Sequence, residues 1–117
     1  MTEEQQDTIT VTIVPVKDMD RAVRFYQDVL GYPLKFKSPE WSEFNTQRVI
    51  LALQKARGDF RAQQGDEARF TIDVQGIDAE VARLGGKDVR FAVELHEEAY
   101  GKMAIFHDSE GNGVELV

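Results

Sequence analysis

One series of elements occurs twice in this chain, and that repetition constrains the fold more than any single motif. A strand, a helix and three strands run through residues 8–54, and the same order returns through residues 69–117. In the first half, "TITVTIVPV" alternates β-branched residues and reads as a strand, with Pro15 marking an edge or bulge because it has no N–H to donate. Asp18 then suits a helix N-cap, and Met19, Ala22, Val23, Tyr26, Val29 and Leu30 recur at helical spacing on one face. Gly31 and Pro33 stop that helix. "PLKFK", "EWSEF" and "RVILALQ" follow as short strands. In the second half, "RFTIDV" is a strand and "GIDAEVARLGG" a shorter helix facing inward through Ile77, Val81 and Leu84. "DVRFAVEL", "GKMAIFHD" and "GVELV" complete the series. Residues 1–7 read as a frayed start, and residues 55–68, polar with two glycines, as a linker between modules of a single domain.

The halves align residue by residue. Val11, Val16 and Asp20 match Arg69, Val74 and Asp78 at a constant offset of 58, and "VILALQ" matches "GVELV", which sets Ala52 opposite Glu115. A helix crossing over between strands in each half predicts an α+β fold with the helices on one face of each sheet. The opposite faces are then left to form a concave surface. Strand parity divides the residues accordingly, since successive side chains point to opposite faces. Val14, Val16, Leu51, Leu53, Phe70, Ile72, Val74, Val114 and Leu116 share the helix-facing phase. Ile9, Val11, Ile13, Ile50, Ala52, Arg69, Thr71, Asp73 and Glu115 share the other, a mixed apolar and polar surface suited to the floor of a binding cup.

Composition narrows the function classes. With 14 basic and 21 acidic residues the net charge is -7, which disfavours nucleic acid and anionic membranes as partners. Cysteine is absent, which removes disulfides, thiolate metal sites and a cysteine nucleophile. No apolar run approaches a membrane span, and the acidic, polar "MTEEQQDT" is neither a signal nor a transit peptide. A cytoplasmic location is the expectation.

"VPVKDMDRAVRFYQDVLGYPLKF" and "AIFHDSEGNGVELV", set on duplicated βαβββ halves, resemble the vicinal oxygen chelate superfamily. That superfamily includes glyoxalase I, extradiol dioxygenases, fosfomycin-modifying enzymes and bleomycin-binding resistance proteins. The resemblance covers nearly the whole chain. It implies paired βαβββ modules closing a cup-shaped partial barrel with helices on the outer face, and a homodimer. It also implies a divalent metal held by His, Glu or Gln from the first and fourth strands of each module. Those positions align here with Val11, Ala52, Arg69 and Glu115. Glu115 is the only usable donor of the four. Val11 and Ala52 have none, and Arg69 is a permanent cation that repels a metal. A metal needs three or more convergent donors, so neither a metal nor any other cofactor is expected. An ion pair between Arg69 and Glu115 across the floor is expected in the metal's place.

Other residues carry weaker signals. His96, placed at the end of the sixth strand in phase with Arg90, Ala92 and Glu94, could orient a ligand or act as a base, or be a plain surface histidine. His107, beside the final turn, invites the second reading. "DSEGNG" has the acidic spacing of a calcium loop, but its twelfth position would be residue 119 and no helices flank it, so it reads as a strand-connecting turn. Trp41, Phe44 and Tyr100 are candidate platforms for a planar ligand, with core packing or a dimer interface as the alternative. Val11, Trp41, Phe44, Ala52, Arg69, His96, Tyr100 and Glu115 thus form the candidate cup.

Three functions are compatible with these residues. One is a metal-independent binding protein of the glyoxalase/bleomycin resistance type that holds an unidentified planar or cationic small molecule. Another is a metal-dependent lyase or dioxygenase, supported by fold analogy alone. The third is a structural or regulatory dimer without a ligand. The missing donors favour the first.

Overall fold

The computed structural model describes residues 10–56 and 68–117. Most of the expected linker, the start of the first strand and the expected frayed segment lie outside them. The elements are β1 (Val11–Val16), α1 (Met19–Arg24) continued by a π-helical turn (Phe25–Val29), β2 (Leu34–Phe36), β3 (Trp41–Asn45) and β4 (Ile50–Lys55). The second half contains β5 (Phe70–Ile72), α2 (Ile77–Gly85), β6 (Phe91–Glu98), β7 (Gly101–His107) and β8 (Gly113–Leu116). The fold is α+β. Two four-stranded mixed sheets run in the orders β1-β4-β3-β2 and β5-β8-β7-β6, and no closed barrel forms among the described residues. No helix among them is long and apolar enough to cross a membrane.

Strand register reproduces the internal repeat. β1 pairs with β4 in parallel with Ile13 opposite Ala52, and β5 pairs with β8 in parallel with Thr71 opposite Glu115. Ile13 and Thr71 differ by the same offset of 58 that aligns the halves. Ala52 and Glu115 therefore occupy equivalent places in equivalent sheets.

The first helix is assembled as its sequence dictates, with one departure. Asp18, in extended conformation, accepts from the Arg21 N–H at 3.0 Å as N-cap. After Arg24 the ladder widens, and Leu30 donates to the Phe25 carbonyl in place of Tyr26's. Gly31 then takes φ 81°, the left-handed geometry that stops a helix without a Cβ clash. Tyr32 closes the end by donating to the Tyr26 carbonyl at 3.0 Å.

The helix-facing phase builds the core. Val14, Val16, Leu51 and Leu53 pack against Met19, Ala22, Val23 and Tyr26. In the second half Leu84 packs on Phe106, Val114 and Leu116. Phe25, Leu30 and Phe70 border both clusters, and the Phe25 and Phe106 rings lie 6.4 Å apart between centroids. Both sheets thus turn one face toward one joint core, with α1 in it: the even-numbered residues of β1, β3, β5 and β8 but the odd-numbered Leu51 and Leu53 of β4. The opposite faces, odd-numbered on β1 and β8, point away from it.

Phe44 departs from the cup expectation. It is 0% exposed, packs in the first cluster and lies 6.0 Å from the Tyr26 ring, so it belongs to the core. Its partner across the sheet, Leu51, is also helix-facing. Phe44→Ala should therefore act on stability, lowering it by about 3–5 kcal/mol in urea unfolding, as removal of a buried aromatic does. A change in ligand affinity with unaltered stability would place the ring elsewhere.

Candidate functional site

The faces turned away from the core are exposed at β1 and β2, whereas Ala52 and Ile105 on them are covered. Val11 and Ile13 are 39% and 49% exposed on β1, and Phe36 stands exposed on β2. Trp41 and Glu43 share the odd face of β3, and the indole N–H donates to Glu43 Oε2 at 2.8 Å. Lys35 sits 3.5 Å from the same carboxylate group. The half-exposed indole is thereby fixed as a flat surface beside a charged pair. Ala52 lies on this face by register but is fully covered, so it offers a ligand no surface.

On the second sheet the odd face presents Arg69, Thr71 and Glu115. The expected Arg69–Glu115 ion pair is not among those that the described residues make. Glu115 accepts instead from Thr71 Oγ1, its cross-strand partner, at 2.8 Å. Arg69 Nε donates to Asn112 Oδ1 at 3.0 Å. Direct cross-strand neighbours lie closest on a sheet face, and Arg69 sits one row along, beside Gly113. The family's metal does not fit this donor set. A valine, a covered alanine and a guanidinium accompany one carboxylate that is already bonded to a hydroxyl. Among the described residues no group of three or more His, Asp or Glu side chains could hold a metal ion.

His96 lies within β6, which continues to Glu98 beyond the expected end of the strand. By register it faces Met103. Its Nδ1 meets the Glu94 carbonyl at 2.9 Å and its Nε2 meets Glu98. The Glu94 carbonyl first, then Glu98, raises its pKa above the ordinary histidine value, because a protonated imidazole can donate at both nitrogens. Tyr100 is 69% exposed at the tip of the β6–β7 hairpin.

Sequence reading missed three features. His107 shares the odd face of β7 with Ile105, and its Nε2 is buried with no hydrogen-bond partner among the described residues. Parity with Ile105 could have placed it there. The second feature is the final turn, which is a connector as expected but carries two buried carboxylates with long-range roles. Asp108 accepts from the N–H groups of Glu110 and Asn112, both at 2.8 Å, and from Tyr26 Oη at 2.7 Å. Burial raises its pKa, against the lowering effect of the Tyr26 hydroxyl and the two amides. Glu110 accepts from the N–H groups of Lys17 and Asp18 and from Arg21 Nε at 2.7 Å. Burial pushes its pKa up, but Arg21 and the two amides outweigh it and hold the carboxyl below its ordinary value.

The third feature is a cleft of about 940 Å³ between the halves. Leu30, Tyr32 and the Thr46–Val49 turn form one wall, and β5 with Asp73–Gln75 forms the other. No element supplies it alone, so no local pattern announces it.

A lowered Glu110 pKa means that this group's contribution to stability is present above the ordinary glutamate pKa and is lost as pH falls through the folded value. The raised Asp108 works in the opposite sense, its contribution falling as pH rises between its ordinary and raised values. Glu110→Gln should cost about 1–3 kcal/mol at pH 7. That gap should narrow in thermal melts as pH is lowered below 4, and a gap independent of pH would refute the assignment.

Comparison with known proteins places this geometry. The family model described as Glyoxalase/Bleomycin resistance protein/Dioxygenase superfamily matches residues 8–116. A glyoxylase-like domain-containing protein from Didymella fabae is 28% identical over 112 residues, covering 85% of this chain and 84% of its own. The crystal structure of TnmS3, an antibiotic binding protein from Streptomyces sp. CB03234, superposes with a TM-score of 0.81 at 22% identity over 97% of both chains. That of lactoylglutathione lyase from Agrobacterium tumefaciens gives 0.77 at 23% identity, over 97% of this chain and 94% of its own.

Proposed function

The chain belongs to the Glyoxalase/Bleomycin resistance protein/Dioxygenase superfamily, and from that premise we propose that it is a metal-independent small-molecule-binding protein whose ligand lies against the odd-numbered sheet faces. One observation carries the reading. Three of the four positions aligned with the family's metal ligands hold Val11, Ala52 and Arg69, while Val11 and Ile13 leave apolar surface exposed beside them. Binding without a metal relies on contact area and a few oriented polar groups. Here Val11, Ile13 and the fixed Trp41 indole supply the area, and Glu115 and Arg69 supply the polarity. Likeness in fold to an antibiotic binding protein agrees with this role.

A homodimer is part of the same proposal. Within one chain both odd faces point away from the joint core, so neither covers the other. A second copy would set the Val11/Ile13 face of one protomer against the Glu115 face of its partner, removing exposed apolar surface from water. The resulting cup would draw its walls from two chains and keep the ligand out of bulk solvent.

The first test is elemental analysis of protein purified without added metal, followed by thermal-shift screening of planar aromatic compounds. About a tenth of an equivalent or less of any transition metal is the expected result, given the missing donors. A ligand at about a hundred times its Kd should add roughly 2.7 kcal/mol of stability. Stoichiometric metal lost on Glu115→Gln would overturn the reading. For the dimer, sedimentation equilibrium should give twice the chain mass, and Ile13→Asp should shift it toward monomer.

A further inference from the structure

We infer that the sheet-face ligand is an aromatic carboxylate, and that one row of residues beside the final turn receives its acidic oxygen. The inference rests on the sheet-face reading above and adds to it the ligand class and the residues that select it. The row runs across the second sheet from the start of β5 to the start of β6. The Arg69 N–H donates to the Gly113 carbonyl, Gly113 pairs with His107, and the His107 N–H donates to the Arg90 carbonyl. Val89 and Phe91 pack on the second core cluster, so Arg90 between them points to the other face, with His107. Gly113 lies in β8 without a left-handed φ that would require glycine. It adds no side chain, so none stands between Arg69 and His107. Glycine inside a strand often marks a place where a ligand comes close.

This row is made of N–H donors and contains no acid. His107 is half-buried, and its Nε2 is covered with no hydrogen-bond partner among the described residues. A buried polar atom left unpaired is costly, and a ligand oxygen would remove that cost. The imidazole turns about a soft torsion, so a modest rotation aims Nε2 toward the ligand. Arg90, its direct cross-strand neighbour, is exposed and makes no ion pair among the described residues. Arg69 is oriented on the far side of Gly113 by Asn112, whose own amide donates to the Pro15 carbonyl at 2.9 Å and to Asp108. Guanidinium groups match the fork of a carboxylate. The chain's charge of -7 opposes an anion at long range, but salt screens that field beyond about 8 Å, whereas the row acts at contact. Glu115 and Asp73 follow one and two rows along, roughly 7 and 13 Å away, so one end of the face suits the acidic oxygen.

Cinnamate is the probe, with cinnamamide as its neutral isostere. The chain has two imidazoles, and His96 in β6 serves as the internal control. In nitrogen NMR of the histidine rings, cinnamate should move the His107 signals and leave those of His96 in place. Cinnamate should bind about tenfold more tightly than cinnamamide. His107→Leu should abolish that preference without loss of thermal stability, since it removes an unpaired nitrogen. His107→Gln, which keeps an N–H donor, should retain most of the preference. Arg90→Gln should weaken cinnamate binding about three- to fivefold and reduce its dependence on salt. Three results would each overturn the proposal: cinnamamide binding as tightly as cinnamate, cinnamate binding with the His107 ring signals unmoved, or neither compound binding at millimolar concentration. In the first two, backbone shifts at Val11, Trp41 and Glu115 would still report a ligand on the sheet faces, and in the third that reading goes to its own screen.

Discussion

Everything else in this molecule hangs on how the last turn meets the first helix. Glu110 satisfies amides at the start of α1 and holds Arg21, while Asp108 holds Tyr26 one turn further along. At the other end, Arg83 Nη1 reaches the Val29 carbonyl at 2.9 Å. A helix ordinarily leaves its terminal N–H and C=O groups to caps from its own neighbourhood. Here Asp18 caps the first turn locally, and the other module adds Glu110 on the Lys17 and Asp18 amides and Arg83 on the Val29 carbonyl. Among the described residues the strands of the two sheets do not pair with one another, so α1, the Phe25–Phe106 contact and this turn do much to join the two modules.

A helix gripped from both sides draws the core-facing sides of both sheets inward and leaves the Val11/Ile13 face of β1 exposed. Of the positions aligned with the superfamily's metal ligands only Glu115 carries a donor, and Thr71 holds it in register.

Much of this was legible in the chain. Alternation and helical spacing are local, and they placed the strands and helices. The duplicated order placed Ala52 and Glu115 in equivalent positions, and the strand register agrees. Phe44 was misplaced although parity could have corrected it: Trp41 and Phe44 are three residues apart on one short strand, so they cannot share a face. Arg69 and Glu115 were paired because both belong to the family's ligand set, but cross-strand adjacency gave Glu115 to Thr71. The partners of Asp108 and Glu110 could not be read at all, since they lie more than 80 residues away and depend on how the modules dock. The cleft is illegible for the same reason.

The distance between Glu110 and Lys17, 93 residues along the chain, has a consequence for biosynthesis. On a ribosome adding about 5–20 residues each second, α1 emerges many seconds before the turn that caps it. During that interval its first amides rely on Asp18 and water, and Tyr26 has no carboxylate to meet. Parallel pairing of β1 with β4 and of β5 with β8 adds further slow, non-local closure. The first module therefore waits for the second, and the exposed apolar strand β1 is the segment most in need of protection while it waits.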